Sequence, residues 1–326
     1  MNGEREHVPR SPLTSYIVGV KSTGETKPLA SEAPCATKKI SVVVGAVDAS
    51  RSLSRCLDAL RVSCAGLDCE VIVVSAGGKA TADAADSAPG VRTVTMPEDT
   101  LTPMLWSEGI ATATGEVVAL TTAHCFVTEG WARSVLGVIE RGAAAVGGPM
   151  RLASDSSNVD AAIFFLRYSA YLDGRPDGPT QDIAGDNCAY VRDRIPANAW
   201  SRENGFWEVD VNRSIAASRD TIVWSSKAVA EFGQSFRLRS IARHRFEHGR
   251  LFGRSRVSRG ESRARIAGGS PIVPFVLLSR IARRVSRRPE YRKRFFASIP
   301  AILVLATCWA SGEAAGAIDG RVADRR

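Results

Sequence analysis

Short runs of apolar, largely β-branched residues alternate with helical periodicity in the first half of the chain. The runs cover residues 40–44, 70–74, 91–96, 117–120 and 143–149. Between the first two, Leu53, Leu57 and Leu60 recur at helical spacing. Unbroken apolar runs are typical of strands buried on both faces of a parallel sheet. The pattern therefore predicts an α/β domain with a mostly parallel, Rossmann-like sheet flanked by helices.

The strand predicted at 117–120 runs directly into polar residues, which include Thr121, Thr122 and His124. Open α/β sheets bind their ligands at the carboxyl ends of the strands. We therefore expect a ligand site where this strand ends.

Six segments, in order, carry a resemblance to a known family. They are ISVVV followed by CLDAL, EVIVVSAGG, GEVVALTTAHC followed by GW, GDNCAYVRDRI, GFWEVDVNRSIAAS and IVWSSKAVAEF. Over residues 39–235 the chain resembles the family-2 glycosyltransferases, which are inverting nucleotide-sugar enzymes of the GT-A fold. The resemblance implies a GT-A-like domain that binds a nucleotide-sugar donor.

The resemblance also implies a donor site, with three departures from the family pattern. Thr122-Ala123-His124 replaces the Asp-x-Asp pair that holds a divalent metal and the donor diphosphate. Ser75 stands where an aspartate typically contacts the nucleotide, and Phe232 stands where many relatives keep a metal-ligating histidine. The implied donor-side residues in this part of the chain are Ala46, Asp48, Ser75, Thr122 and His124.

Three roles stay open for His124. A neutral imidazole ligates divalent metals, so His124 is a candidate ligand for Mg²⁺ or Mn²⁺, ions that normally prefer carboxylate and water oxygens. A protonated imidazole would instead neutralise the diphosphate directly and make the enzyme metal-independent. Alternatively, His124 is a polar residue in a site that no longer binds a metal.

Inverting transfer requires a base for the acceptor hydroxyl and positive charge for the departing diphosphate. The resemblance places Glu208 at the base position, with Asp210 two residues on. The apolar neighbours Phe206 and Val209 favour a raised pKa for Glu208. The competing interpretation is that Glu208 begins the helix predicted at 209–217, because acidic residues are common in first turns.

The acceptor-side candidates are two residues in a predicted turn and one tryptophan further along the chain. Asp186 and Asn187 follow Gly185 and have groups that hydrogen-bond sugar hydroxyls, but these residues are also ordinary turn formers. Trp207 is a candidate for stacking on a sugar face, or a core residue.

The charge of +9 is concentrated near the C-terminus, where residues 237–294 contain eighteen Arg or Lys against three Glu. His244, Arg245, His248 and Arg250 are candidate diphosphate ligands in place of a metal. The alternative is a basic face on anionic lipid. Nucleic acid is not expected as a partner, because apolar stretches rather than a recognition fold follow the arginines.

Those apolar stretches cover residues 271–278 and 295–310, and Pro300 is predicted to interrupt the second. Both are shorter than a bilayer-spanning helix. With basic flanks they predict helices that lie in the cytoplasmic leaflet of the inner (plasma) membrane. A soluble helical cap is the alternative. The predicted organisation is a disordered tail (1–38), a transferase domain (39–235) and a basic, apolar, membrane-associating helical region (236–326).

Two functions follow from these observations. One is transfer of a sugar to an envelope glycan, exopolysaccharide or lipid-linked acceptor. The other is a catalytically inactive protein of the same fold that binds nucleotide sugars or serves as a scaffold in polysaccharide assembly. Loss of the aspartates favours the second, and retention of Glu208 and Asp210 favours the first. A nucleotidyltransferase would need a glycine-rich loop with a basic residue after the first strand, which this sequence lacks.

Overall fold

The computed structural model describes residues 38–47, 49, 51–76, 78–86, 88–233, 236–258 and 260–319. Asp48 and the tail predicted over residues 1–38 lie outside these ranges, apart from Lys38.

The strands form two sheets. In chain order they are β1 (Ile40–Ala46), β2 (Cys69–Ser75), β3 (Val91–Thr95), β4 (Val117–Thr122), β5 (Cys125–Val127), β6 (Ala145–Gly147), β7 (Met150–Leu152), β8 (Gly178–Thr180), β9 (Cys188–Val191), β10 (Ile222–Trp224) and β11 (Ala230–Phe232). The larger, eight-stranded sheet has the order β3-β2-β1-β4-β9-β6-β10-β8, and the smaller has the order β5-β11-β7. In the larger sheet β8 and β9 run against the other strands. The predicted mostly parallel sheet is confirmed.

Helices cover the sheet and form the C-terminal region. They are α1 (Leu53–Ser63), α2 (Gly78–Asp86), α3 (Thr102–Thr112), α4 (Trp131–Glu140), α5 (Asn158–Tyr168), α6 (Glu208–Ala217), α7 (Leu238–Ser258), α8 (Arg263–Gly269), α9 (Val273–Val285) and α10 (Pro289–Asp319). Short 3₁₀ turns lie at Gly185–Asn187, Arg192–Arg194 and Ser270–Ile272.

The unbroken apolar run of β1 reflects burial on both sides of the sheet. Val42 and Val44 pack into the core on one face, and Val43 packs into the core on the other. Successive side chains of a strand point to opposite faces, so a strand covered on both sides needs apolar residues at every position.

Residues 222–232, the segment IVWSSKAVAEF in which the resemblance implies a closing strand, divide into β10 and β11, which belong to different sheets. The chain turns between them, and Ala228 N donates to Ser225 O at 3.1 Å. Gly148 permits this turn to pack closely, because a Cβ there would lie 2.1 Å from Ala228 O. The pattern of apolar residues does not reveal this turn.

The C-terminal region shares its core with the α/β domain. On α10, Tyr291 stacks with Phe164 of α5 at 5.9 Å between ring centroids, and Phe295 meets Phe165 edge-on at 5.6 Å. Leu305 is fully buried. Burial of each such side chain contributes roughly 1.5–3 kcal/mol. The division at residue 236 is therefore a change in composition within a shared core.

The prediction that Pro300 interrupts the second apolar stretch is wrong. Helix α10 continues through Pro300 and is 31 residues long. A proline inside a helix removes one backbone hydrogen bond. Buried residues on both sides of Pro300, including Phe295 and Leu305, hold the two halves against the core.

Glycines allow the backbones of α7 and α10 to touch. A Cβ on Gly249 would lie 2.1 Å from Trp309 O, and one on Gly312 would lie 2.0 Å from Phe246 O. Gly253 and Gly316 repeat these contacts one turn further along each helix. The two helices run in the same direction, since Gly249 faces Trp309 and Gly253 faces Glu313. Paired small residues spaced by four are typical of close helix packing.

We expect Gly312→Val to destabilise the protein by roughly 2 kcal/mol or more, because the added side chain overlaps the α7 backbone. Gly268→Val is the matched control, since a Cβ on this α8 residue meets no atom within 4 Å. Thermal unfolding of the full chain measures both. Equal losses of stability would contradict the proposed close contact.

Candidate functional site

The carboxyl edge of the parallel strands brings the predicted donor-side residues together. Ala46, at the end of β1, is in register with Ser75 at the end of β2. On the other side of β1, Gly45 is in register with Thr122 at the end of β4. Ser75 Oγ is buried, and in the described part of the chain it has no hydrogen-bond partner. An unpaired buried hydroxyl at this edge is suited to hydrogen-bonding a ligand.

Thr122, at a position where the resemblance implies a metal-binding aspartate, is hydrogen-bonded in a set with Asp186 and Arg167. Its hydroxyl donates to Asp186 Oδ1 at 3.0 Å, and Arg167 Nη2 donates to Asp186 Oδ2 at 2.7 Å. The Asp186 side chain is 5% exposed, whereas that of Arg167 is 39% exposed. Asp186 was predicted on the acceptor side, and the structure places its carboxylate between Thr122 and Arg167.

Arg167 is the site residue that the sequence analysis missed. It lies in the last turn of α5, a helix with the apolar segment AAIFFL before it. Burial by itself would lower the pKa of Arg167, but the Asp186 carboxylate and the other acidic groups around it, including Glu208, together raise the pKa above its ordinary value. A single arginine at the end of an otherwise apolar helix was the available sequence signal.

His124 is buried and neutral near pH 7. Its Nδ1 lies 3.1 Å from Ser52 Oγ, and its ring meets Phe236 edge-on at 5.0 Å. Burial and the neighbouring Arg167 lower the pKa of His124 to about 4. This pKa argues against the alternative in which a protonated His124 neutralises the diphosphate.

The donor set does not fit Mg²⁺ or Mn²⁺, which prefer several oxygen ligands. The Asp186 carboxylate already binds Thr122 and Arg167, and the arginine cation would repel a divalent ion. Within the described ranges, no three His, Cys, Asp or Glu side chains form a group that would hold a metal.

Glu208, the predicted base, is the first residue of α6, one residue before the predicted helix start. It is half-buried. Burial, and then the nearby Asp186 carboxylate, raise the pKa of Glu208 to about 7. Gly185 leaves room for the side chain, because a Cβ there would lie 3.1 Å from Glu208 Cδ. Glu208 therefore begins a helix and also has the pKa of a general base.

The remaining candidates near Glu208 differ in their contacts. Asp210 accepts a hydrogen bond from Arg213 Nη1 at 3.0 Å. Trp207 is 38% exposed, with its indole N–H donated to Asn204 O. The exposed Trp207 ring is available for stacking, so its acceptor-side role stays a prediction.

Asn187 is completely buried and bound to other protein groups. Its amide donates to Pro149 O at 3.1 Å and Ala228 O at 2.8 Å, and its oxygen accepts from Trp131 Nε1 at 2.7 Å. These bonds connect β9 to the turns beside it. The geometry favours a structural role, and contact with an acceptor stays a prediction.

Helix α7 divides the predicted basic cluster. Although His248 is exposed as a residue, burial of its imidazole and then the cations Arg245 and Arg167 together lower its pKa to about 4. His248 therefore lies near Arg167. Arg250 instead donates to Asp319 Oδ2 of α10 at 2.8 Å, and His244 is exposed. Residues two apart in the sequence point to nearly opposite sides of a helix, so His248 and Arg250 lie on different faces of α7.

A comparison with protein-family models finds a match in the α/β part of the chain. Residues 41–195 match the model of glycosyl transferase family 2. This segment includes Thr122, Arg167 and Asp186, whereas Glu208 lies beyond it. No curated protein matches the chain.

Two solved structures are similar in fold. One is the mannosyltransferase PcManGT from Pyrobaculum calidifontis in complex with GDP-Man and Mn²⁺, with a TM-score of 0.46 and 17% identity over 90% of this chain and 78% of that one. The other is GalNAc-T7 with UDP, GalNAc and Mn²⁺, with a TM-score of 0.46 and 11% identity over 61% of this chain and 44% of that one. At these values neither likeness carries an argument about the site.

We expect Glu208→Gln to stabilise the protein above neutral pH. The folded state holds the Glu208 proton more tightly than the unfolded chain, whose pKa is 4.5, so ionisation lowers stability as pH rises from there to about 7. The neutral glutamine avoids this loss. The melting temperature of the variant should exceed that of wild type more at about pH 8 than at about pH 5. Exposed Glu203→Gln is the control, and a pH-independent difference for Glu208→Gln would contradict the raised pKa.

Proposed function

We propose that this family-2 glycosyltransferase-like chain of the GT-A fold moves a sugar from a nucleotide-sugar donor to an acceptor hydroxyl with inversion. The observation that carries the proposal is the position of Glu208. Its carboxyl, with a pKa of about 7, lies against Gly185 near the carboxyl edge of β4. A base with a pKa near neutral combines a sufficient ionised fraction with a useful affinity for the proton.

The proposed reaction is a single displacement. Glu208 takes the proton of the acceptor hydroxyl, and the acceptor oxygen forms a bond to the anomeric carbon of the donor sugar. The bond between that carbon and the diphosphate oxygen breaks, and its electron pair leaves with the nucleoside diphosphate. Because the nucleoside diphosphate leaves as an anion, the site must supply positive charge close to it.

The second candidate is a catalytically inactive protein that binds nucleotide sugars as a scaffold in polysaccharide assembly. The replacement of the Asp-x-Asp pair by Thr122-Ala123-His124 favours it. Calorimetry and transfer assays with UDP-, GDP- and dTDP-sugars, with and without Mn²⁺, separate the candidates. Donor binding without transfer to any acceptor tested would favour the scaffold, and no binding would exclude the transferase.

We expect Glu208→Gln to lower kcat by about 10²–10⁴-fold while donor affinity changes little, because the base acts on the acceptor proton. In wild type, transfer should increase as pH rises through about 7, since the base must be ionised. Glu203→Gln, an exposed residue on the preceding loop, is the matched control. Full transfer by Glu208→Gln would exclude Glu208 as the base.

We propose that the chain works at the cytoplasmic face of the inner membrane, on an envelope glycan, exopolysaccharide or lipid-linked acceptor. In the part of the chain that the structure describes, α10 is the one helix long and apolar enough to cross a bilayer, with 39% of its most apolar window buried. On α9, Phe275 (67% exposed) lies next to Arg280 and Arg283, and Ile272 (61% exposed) lies in the turn directly before this helix. Apolar side chains beside arginines suit the interface of an anionic membrane.

We expect the double variant Ile272→Ser and Phe275→Ser to weaken flotation of the full chain with vesicles that contain anionic lipid. Each serine removes an apolar side chain that would enter the interface. Val62→Ser on α1 is the control, because Val62 is similarly exposed (46%) on a helix of the α/β domain. Unchanged flotation of the double variant would exclude this surface as the membrane contact. Deletion of α10 is unsuitable for this test, since α10 completes the core.

A further inference from the structure

We infer that Arg167 binds the donor diphosphate in place of a divalent metal, and that Asp186 and Thr122 hold its guanidinium in position. This assignment rests on the glycosyl transfer proposed above and concerns the same site. It would make donor binding independent of added metal.

The position of Arg167 is set by rigid parts of the structure. Helix α5 begins with a capping box, in which Ser157 Oγ accepts from Asp160 N and Asp160 Oδ2 accepts from Ser157 N. Near its other end, Phe164 and Phe165 pack against α10. Arg167 therefore extends from a helix fixed at both ends.

The carboxylate of Asp186 orients the guanidinium. One oxygen accepts from Thr122 and the other from Arg167 Nη2, so the carboxylate joins the end of β4 to the end of α5. Thr122 occupies a position of the replaced metal pair, and its hydroxyl serves the arginine through Asp186. In this arrangement the cation beside Thr122 is the guanidinium of Arg167, which takes the place of a metal ion.

The donors of Arg167 are only partly used by the protein. A guanidinium has five N–H groups, and within the described ranges Asp186 is the one hydrogen-bond acceptor that Arg167 contacts. The side chain is 39% exposed, which leaves N–H groups open to solvent. Arginine donates two parallel hydrogen bonds to phosphate oxygens, whereas the compact ammonium group of lysine interacts with them as a point charge.

The charges around Arg167 also fit a diphosphate. Arg245 of α7 and Arg167 both lower the pKa of His248, so His248 lies near two cations. An anion bound near both arginines would offset their mutual repulsion. Glu208 is close enough for its carboxylate to raise the pKa of Arg167, which places the cation near the proposed base.

The test compares nucleoside diphosphate binding and transfer by the full chain. Arg167→Gln alone leaves Asp186 buried without its cation and is expected to fold poorly, because the buried carboxylate would then be uncompensated. The double variant Arg167→Gln and Asp186→Asn removes both charges together. It should fold but bind UDP or GDP roughly 10- to 100-fold more weakly, as expected for lost hydrogen bonds to a charged ligand.

Two controls separate a role in binding from a role in folding. The variant Arg55→Gln and Asp155→Asn removes another ion pair, with N and O atoms 3.0 Å apart, and should bind as wild type does. Arg167→Lys keeps the pair's charge but loses the paired N–H groups, so it should fold and still bind the diphosphate more weakly. Wild-type binding and transfer should be the same in EDTA and in Mn²⁺.

The outcomes distinguish this assignment from the proposed function. Wild-type transfer that requires Mn²⁺ would overturn the role of Arg167 and leave the transferase intact. Wild-type affinity in the folded double variant would show that Arg167 is structural, and would also overturn the assignment. If the wild-type chain binds no nucleoside diphosphate, the assignment and the proposed function both fail.

Discussion

The ion pair between Arg167 and Asp186 is the interaction on which the site depends. It joins α5 to the turn before β9, and Thr122 extends it to β4. Because the Asp186 side chain is almost completely buried, loss of the arginine would leave an uncompensated charge in the core. Burial is the largest cause of the pKa shifts of the neighbouring Glu208 and His124. Within the pair, Asp186 raises the pKa of both groups and Arg167 lowers it.

These shifts give the two sides of the site different chemistry. Glu208 exchanges its proton near neutral pH, whereas His124 stays neutral and hydrogen-bonds with Ser52. Burial raises the pKa of the carboxyl and lowers that of the imidazole, so the site has a proton acceptor on one side and a neutral histidine on the other. Positive charge for a diphosphate comes from arginines, whose charge does not depend on pH in this range.

The C-terminal helices support this arrangement through α5. Aromatic residues of α10 pack on Phe164 and Phe165, a short distance along α5 from Arg167. Helix α7, held against α10 by glycines on both helices, brings His248 near the same arginine. A surface suited to membrane contact and the candidate active site thus belong to one packed unit. The surface proposed for membrane contact and the candidate site are therefore supported by the same helix, α10.

The sequence by itself determined the elements whose pattern is local. The apolar runs predicted β1, β2 and β4, since strands buried on both faces need apolar residues at each position. The motif order indicated a resemblance to the family-2 glycosyltransferases, and the apolar residues beside Glu208 predicted its raised pKa. Tertiary structure alone decided that α10 continues through Pro300, that residues 222–232 form strands of two sheets, and that Arg167 meets Asp186. Each of these depends on contacts between residues far apart in the chain, and local periodicity carries no record of such contacts.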